Sequence, residues 1–370
     1  IVRSWFTQEN AGFEQELDQL AERVNSAQEQ AGGDAPNDKL CPSLAALEKM
    51  PKQFKLTEKL YESRKKGLLA VPEQSDEVGA FRLSNCQFNA GAWLNSIPMT
   101  ARFKCSSAVF KTMLQMRLCI FLAFSSGVKQ CECGDTAGAS FLYGWHWATR
   151  CAKACRNSNH NRVRDIIAAM YKSLRINTQI EVKGLYSQMT SYQRKDDQGR
   201  PVPNYKPADV LVPGSATTTG KEHALDVAIT DPTGKTAISR LSHTRALQAA
   251  EIRHKDKMDT HSKQLAIAGE AGLPFVKVPL VFEITGAMGK ETQKWWREVA
   301  ALEKEQRDQD TTSRKDMGLD WTFSANGFAS YWLQAISMSM ARTLAESVVM
   351  FIGKNQEDGI IDVHPEINTN

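Results

Sequence analysis

Three short apolar runs in the middle of the chain are each bounded by glycine or proline. They read ADVLVPG at 208–214, LDVAITDP at 225–232 and FVKVPLVFEITG at 275–286. Short runs rich in Val, Ile and Phe that end at turn residues are typical of buried strands. A fourth segment, TQIEV at 178–182, alternates in the way a half-buried strand does. The pattern therefore predicts strands near 178–183, 208–213, 224–230 and 276–283.

Helical periodicity flanks these strands. Apolar residues recur every three or four positions in 159–174, and a charged stretch at 239–269 separates the third strand from the fourth. The resulting order is helix, strand, strand, strand, helix, strand, which predicts an α/β domain with all four strands in one mixed sheet. Further helices are predicted within 1–35 and at 52–66, 106–124, 291–309 and 327–352.

Length and composition indicate a protein with packed cores rather than a disordered chain. Its 370 residues favour two or three domains, and 42% of them are hydrophobic against 24% charged. A net charge of +4 neither requires nor excludes a nucleic-acid partner, because local patches matter more than the sum. No uncharged apolar stretch reaches eighteen residues, so no membrane partner is expected.

Two of the predicted strands carry a single aspartate inside the apolar run, Asp209 and Asp226. A buried carboxylate costs several kcal/mol unless it is paired or binds a metal. The next helix supplies lysines, and a third acid, Glu181, lies within the first strand. This combination favours a metal-dependent phosphodiesterase site with Lys257 in reach of the acids. The alternative is two aspartates at strand ends that pair with nearby arginines. If the site is active, Asp226→Asn should leave folding nearly unchanged and abolish metal-dependent nicking of DNA. Removal of a repulsive acid would even stabilise the metal-free protein.

Four of the eight cysteines lie between residues 131 and 155, in CECGDTAGASFLYGWHWATRCAKAC. A chain of this size needs no disulfides, and cysteines clustered with a histidine favour a metal. Three thiolates and one imidazole complete a tetrahedral structural zinc site, for which the candidates are Cys131, Cys133, His146 and Cys151. Cys155 and His160 are rival ligands. Reduced, buried cysteines without a metal are the alternative interpretation.

In this order, the motifs resemble the C-terminal region of non-LTR retrotransposon reverse-transcriptase polyproteins, downstream of the polymerase. The similarity rests on AGAWL at 90–94, on CxC…HxxxxC followed by NHNRVRD, and on PADVLV…LDVAITDP…KxxxH…PLVFEITG. FASYWLQAISMSMAR at 328–342 resembles the tail helix of the same reading frames. Together these motifs cover roughly residues 85–350. Each motif is weak alone, whereas their shared order is fairly specific.

The resemblance implies a restriction-endonuclease-like domain at 159–290, after a helical region at 1–125 and a zinc knuckle at 126–158, and before a helical extension at 291–370. It implies Asp209 and Asp226 as Mg²⁺ ligands, Lys257 as the basic partner and Glu181 as a possible extra acid. The expected reaction is phosphodiester hydrolysis that nicks DNA, with one or two Mg²⁺ ions. An active retroelement protein would be nuclear.

The chain departs from the family pattern in two ways. It contains no polymerase, and His261 stands where an aromatic residue is expected, which makes Lys263 a rival of Lys257. A second hypothesis is therefore a domesticated, inactive module that binds DNA or RNA. Such a module would be a subunit of a large ribonucleoprotein, for example an organellar ribosome in a mitochondrion or plastid, with other proteins as partners. A zinc-stabilised scaffold without nucleic acid is the third hypothesis.

The zinc hypothesis predicts one Zn²⁺ per chain. Cys131→Ser should release it and loosen residues 131–160 while leaving the sheet largely intact, because a knuckle of this size has too little core of its own. Elemental analysis of the purified protein and its Cys131→Ser variant measures the metal content. A wild-type protein without zinc would contradict the assignment.

Overall fold

The computed structural model describes residues 75–98, 100–120, 122, 142–151, 156–182, 185, 208–268, 273, 275–309 and 327–357. All of them belong to one unit, Glu73–Asn370. The helices predicted within 1–35 and at 52–66 lie outside the described residues. The same holds for two of the predicted zinc ligands, Cys131 and Cys133, and for the rival Cys155.

A four-stranded mixed sheet forms the middle of the described structure. Its strands are β1 (Gln179–Val182), β2 (Ala208–Val212), β3 (Glu222–Thr230) and β4 (Phe275–Glu283). They lie in the order β1-β2-β3-β4, with antiparallel β1–β2 and β2–β3 pairs and a parallel β3–β4 pair. This confirms the α/β class, the mixed sheet and the four predicted strand positions.

Seven α-helices surround the sheet in the described part of the chain. They are α1 (Asp76–Asn85), α2 (Ser107–Arg117), α3 (Arg156–Ser173), α4 (Lys235–Ser239), α5 (Gln248–Ala268), α6 (Lys290–Gln309) and α7 (Phe328–Glu357). A 3-10 turn, Ala92–Asn95, follows α1, and a π-helical turn, His146–Arg150, precedes α3. Ser75 and Ser106 begin α1 and α2 as N-caps, because each side chain accepts a backbone N–H three residues on.

Two helix predictions were wrong in length. The helix predicted at 239–269 begins only at Gln248, because Leu241 and Leu247 adopt left-handed backbone angles, with φ of 68° and 61°. The helix predicted at 106–124 ends at Arg117, and Cys119 just beyond it has φ 52°. Left-handed backbone is incompatible with a continuing α-helix.

Helices cover both faces of the sheet. Alternate residues of β2, β3 and β4 share one core with α3 and α7; among them are Val210, Leu225 and Leu280, all of which have less than 1% of their surface exposed. On the opposite face, α5 packs against β4 and β3, where Ala250 joins Ala228 and Val281. Because both faces are buried, the strands read as continuous apolar runs rather than as alternating ones.

Helix α7 is buried along most of its length. Its apolar stripe includes Trp332, Ile336 and Met340, each no more than 2% exposed. Its buried hydroxyls are satisfied within the helix or by neighbours: Thr343 donates to the Ser339 carbonyl at 2.8 Å, and Ser337 accepts the Trp93 N–H at 3.2 Å. None of the helices within the described ranges is long and apolar enough to cross a membrane.

Glu283 ends β4 as a carboxyl group that is 1% exposed. Burial raises its pKa to about 7, and the negative charges of Asp231 and Glu251 act in the same direction. Hydrogen bonds from Ser84 and from the Ala250 N–H oppose the shift without offsetting it. Near neutral pH, this buried side chain is therefore partly protonated and partly ionised.

This buried acid makes stability depend on pH. Between pH 4.5, its ordinary pKa, and about 7, the folded protein keeps a proton that the unfolded chain has released. The free energy of unfolding should therefore fall as pH rises through this window, by about 3 kcal/mol at 1.36 kcal/mol per pKa unit. Glu283→Gln should remove this decrease in the free energy of unfolding. Urea unfolding of both proteins at pH 4.5 and 7.5 measures it.

Glu222→Gln, which replaces an exposed acid on β3, is the matched control and should keep the wild-type slope. An equal pH dependence in wild type and Glu283→Gln would show that Glu283 titrates normally.

Candidate active site

Three acids lie in one row across β1, β2 and β3. The register that pairs Val210 with Leu225 places Asp209 opposite Asp226. Strand β1 pairs with the other edge of β2. There Ile180 pairs with Val210 and Val182 with Ala208, so Glu181 lies beside Asp209. Neighbouring strands are about 5 Å apart, so side chains in such a row meet when they share a face.

Asp226 is bound by two lysines. The Lys257 amine, from α5, lies 2.7 Å from Oδ1 and 3.0 Å from Oδ2, and the Lys277 amine, from β4, lies 3.1 Å from Oδ2. Burial raises the pKa of Asp226 and is its largest single influence, but the two lysines together outweigh it and hold the pKa below the usual range. The ion pairs thus contribute stability above the ordinary pKa of aspartate, and that stability is lost as pH falls through the lowered value.

Asp209 is held through one of its two oxygens. Its Oδ2 accepts the Val227 N–H at 2.7 Å and lies 3.1 Å from His160 Nε2 on α3. The hydrogen bond to Asp209 raises the pKa of His160, although burial acts against it. Within the described residues, Oδ1 of Asp209 makes no hydrogen bond or ion pair. One carboxylate oxygen is therefore positioned by its neighbours while the other remains available to a ligand.

Glu181 is paired with an arginine rather than with the lysines. Arg164 binds Glu181 through Nη1 and Asp165 at 2.8 Å through Nη2. Glu181 itself has a left-handed φ of 52°, unusual for a residue with a Cβ, which distorts β1 at this position. Since His160 and Arg164 are four residues apart on α3, a single helix face supplies the partners of both Asp209 and Glu181.

The structure thus brings together three of the predicted catalytic residues, Asp209, Asp226 and Lys257, with Glu181 in the same row. The rival Lys263 is exposed on α5. The alternative that arginines pair with the two aspartates is not seen in the described structure, where lysines hold Asp226 and a histidine binds Asp209. Sequence reasoning missed Lys277; the signal was a lone lysine inside the apolar run FVKVPL, the same pattern that singled out the two aspartates.

The donor set suits a hard divalent cation. Two carboxylates opposite each other, one with an uncommitted oxygen, offer the ligands that Mg²⁺ prefers. Glu181 is paired with Arg164 instead, and the described ranges contain no group of three or more His, Cys, Asp or Glu side chains that could hold a metal ion. Asp226 can contribute only an oxygen that a lysine already contacts.

Only part of the predicted zinc site falls in the described ranges. His146 opens the π-helical turn, Cys151 follows it, and both are buried. The Cys151 N–H donates to the His146 carbonyl at 2.7 Å, which keeps the two residues on one tight turn. Because Cys131 and Cys133 lie outside those ranges, zinc binding stays a prediction.

No protein-family model matches the chain, and no curated protein matches it. The chemistry of this region must therefore be inferred from its own side chains. Those are two opposed aspartates, a partly exposed lysine, a buried lysine and a histidine on α3.

The two lysines reverse the expectation for Asp226→Asn. The Lys277 amine is 2% exposed and has no other carboxylate partner in the described structure, so removing Asp226 leaves a buried cation uncompensated. Breaking such a pair typically costs about 3 kcal/mol or more. We therefore expect Asp226→Asn to lower the free energy of unfolding by about 3 kcal/mol at pH 7 in metal-free urea titrations.

The control is Asp259→Asn, an exposed aspartate on the same helix as Lys257, which should change stability by less than about 0.5 kcal/mol. If Asp226→Asn were as stable as wild type, the repulsion between acids inferred from the sequence would be the correct description instead.

Proposed function

We propose that this protein is a metal-dependent endonuclease with a restriction-endonuclease-like core, and that it hydrolyses phosphodiester bonds in nucleic acid. The observation that carries the proposal is Asp209 opposite Asp226 on paired strands, with Lys257 from the covering helix in contact with Asp226. The element order α3-β1-β2-β3-α5-β4, with the short helix α4 inserted between β3 and α5, supports the same fold family. Zinc bound by Cys131, Cys133, His146 and Cys151 belongs to this proposal as a structural element.

Asp209 and Asp226 would hold the cation. Bound there, Mg²⁺ would polarise the scissile phosphate and lower the pKa of a bound water. His160 and the Val227 N–H fix the orientation of Asp209, so that its other oxygen would be available to a cation without a change of rotamer. Preorganisation of this kind lowers the cost of reaching the reactive geometry.

The two lysines would have different roles because their exposure differs. The Lys257 side chain is 23% exposed and is able to reach a phosphate, where its charge would stabilise the negative charge that grows in the transition state. The Lys277 amine is 2% exposed and can only act on Asp226, which it keeps ionised and in place. Lys277 is thus a positioning residue, whereas Lys257 is a candidate catalytic residue.

A specific observation favours a second function, an inactive module that binds DNA or RNA within a large ribonucleoprotein. Both oxygens of Asp226 are already contacted by lysine amines, so the site is electrically compensated without any metal. A domesticated nuclease would keep such an arrangement for stability after its chemistry was lost. The expected compartment depends on which function is correct. An active retroelement nuclease would be located in the nucleus, and a domesticated subunit in a mitochondrion or plastid.

Asp209→Asn tests the endonuclease proposal. Asparagine keeps an oxygen for the Val227 N–H and so should preserve the fold, but it removes the negative charge that a divalent cation needs. We expect Mg²⁺- or Mn²⁺-dependent nicking of supercoiled DNA to fall at least about 100-fold, and calorimetry to show loss of Mn²⁺ binding. Glu222→Gln, at an exposed acid on β3, should retain both activities.

Metal-independent background cleavage that is equal in wild type and Asp209→Asn would overturn the endonuclease proposal. If the wild-type protein then still bound nucleic acid, the inactive module would be the function. Thermal melting of each variant separates lost chemistry from lost folding.

A further inference from the structure

A groove of about 860 Å³ runs between α3, α7 and the turn at 100–103. Its lining contains four basic side chains, Arg102, Arg162, Lys172 and Arg342, and one acid, Asp165. It is separate from the row of acids, although α3 borders both. A basic surface depression of this size suggests a polyanionic ligand.

Two of the four cations are committed to the walls of the groove. Arg162 donates to Glu346 at 2.6 Å and to Thr343 at 2.9 Å, both on α7. Arg342 donates to the Lys104 carbonyl at 3.0 Å, which ties α7 to the turn at 100–103. Both arginines also contact the one carboxylate of Glu346, and these bonds leave their N–H groups less free to bind a ligand.

The other two cations are available. Neither Arg102 nor Lys172 has a carboxylate partner in the described structure, and the one acid in the lining, Asp165, is bound by Arg164. Lys172 is exposed at the last turn of α3. The groove therefore offers two uncompensated positive charges, one from each side.

The Arg102 guanidinium packs against two aromatic side chains and lies 3.5 Å from the Tyr331 hydroxyl. It lies 4.9 Å from the Trp332 ring centre and 5.8 Å from that of Tyr331. Both rings are at least nine-tenths buried, so they support the guanidinium rather than contact a ligand themselves. A guanidinium supported by aromatic rings is suited to stack on a base or to bind a phosphate through its N–H groups.

Helix α3 connects the groove to the candidate active site. Its residues His160 and Arg164 face the acids, whereas Arg162, Ile166 and Lys172 line the groove. The groove and the row of acids therefore lie on different sides of α3. From Arg162 to Lys172 the helix rises about 15 Å, the length of about four nucleotides at 3.4 Å each.

We propose that this groove binds a single strand of nucleic acid, with Arg102 and Lys172 as its main contacts. The partly apolar wall formed by Ile166 and Ala169 and the planar guanidinium suit unpaired bases, whose faces a duplex conceals. The inference rests on the proposed function only in taking nucleic acid as the ligand. It applies equally to an active nuclease and to an inactive module. DNA and RNA strands share the chemistry it requires.

Binding of fluorescein-labelled 12-nucleotide DNA and RNA, in buffer without Mg²⁺, tests the groove independently of cleavage. Each lost phosphate contact lowers the salt slope by about 0.7, a factor of about five in affinity at 0.1 M salt. We therefore expect about fivefold weaker binding for Lys172→Ala and for Arg102→Ala, and about 25-fold for the double variant. Lys221→Ala, at an exposed turn beyond the other end of β2, is the matched control.

Arg102→Lys separates stacking from charge: it should keep the salt slope but bind more weakly, because lysine has no planar face. Since Arg102 also packs on Trp332, Lys172→Ala serves as the variant with no packing role. Loss of affinity for DNA, for RNA or for both, in these variants but not in the control, supports the proposal that the groove binds a single strand. It also shows which nucleic acid the groove binds.

Unchanged affinity in Lys172→Ala and Arg102→Ala, or an equal loss in Lys221→Ala, would overturn the proposal that the groove binds nucleic acid. So would tighter binding of a 12-base-pair duplex than of the single strand, with the same sensitivity to both variants. Because no cleavage is measured, absence of nuclease activity would leave this result unaffected.

Discussion

The arrangement of the site depends on one largely buried carboxylate, Asp226, and on the two lysines that neutralise it. A charged group in the core is tolerated only when its desolvation is compensated, and here the compensation comes from two different elements. Lys277 reaches Asp226 from the neighbouring parallel strand, and Lys257 reaches it from α5, which crosses over between the same two strands. The β3–β4 pairing and the packing of α5 are therefore both coupled to the charge at Asp226.

A second constraint comes from α3, which uses its two faces differently. One face packs into the main core through Val163, Ile167 and Met170. The polar side of the same helix supplies His160 to Asp209, Arg164 to Glu181 and Arg162 to α7. A shift of α3 by even one residue would break all three contacts at once, so packing of the apolar face determines where the polar side chains lie.

The architecture was more predictable from the sequence than the site was. Runs such as ADVLV and LDVAIT locate buried strands because both faces of the sheet are covered, and that is a local signal. The breaks at Leu241, Leu247 and Cys119 were missed, since left-handed leucine and cysteine residues have no signature comparable to glycine. Asp209 and Asp226 were found because they interrupt apolar runs, and Lys277 carries the same signal. Its pairing with Asp226 and that of His160 with Asp209 depend on strand register and helix packing, which sequence spacing does not give.

The charge balance bears directly on whether the site is active. With both lysines in contact, Asp226 already has its full complement of positive charge, whereas in the described structure Asp209 is paired with His160, which is a cation only when protonated. A divalent cation would therefore enter at the free oxygen of Asp209 and would have to share Asp226 with lysines that repel it. Lys277 cannot leave, because it is buried, but Lys257 is partly exposed and can turn toward a phosphate. Substrate and cation would then favour each other's binding: the phosphate draws Lys257 away from Asp226, and the exposed carboxylate oxygen becomes available to the metal. An active enzyme of this kind binds Mg²⁺ weakly until nucleic acid is present, whereas an inactive module keeps Lys257 on Asp226 with or without a bound strand.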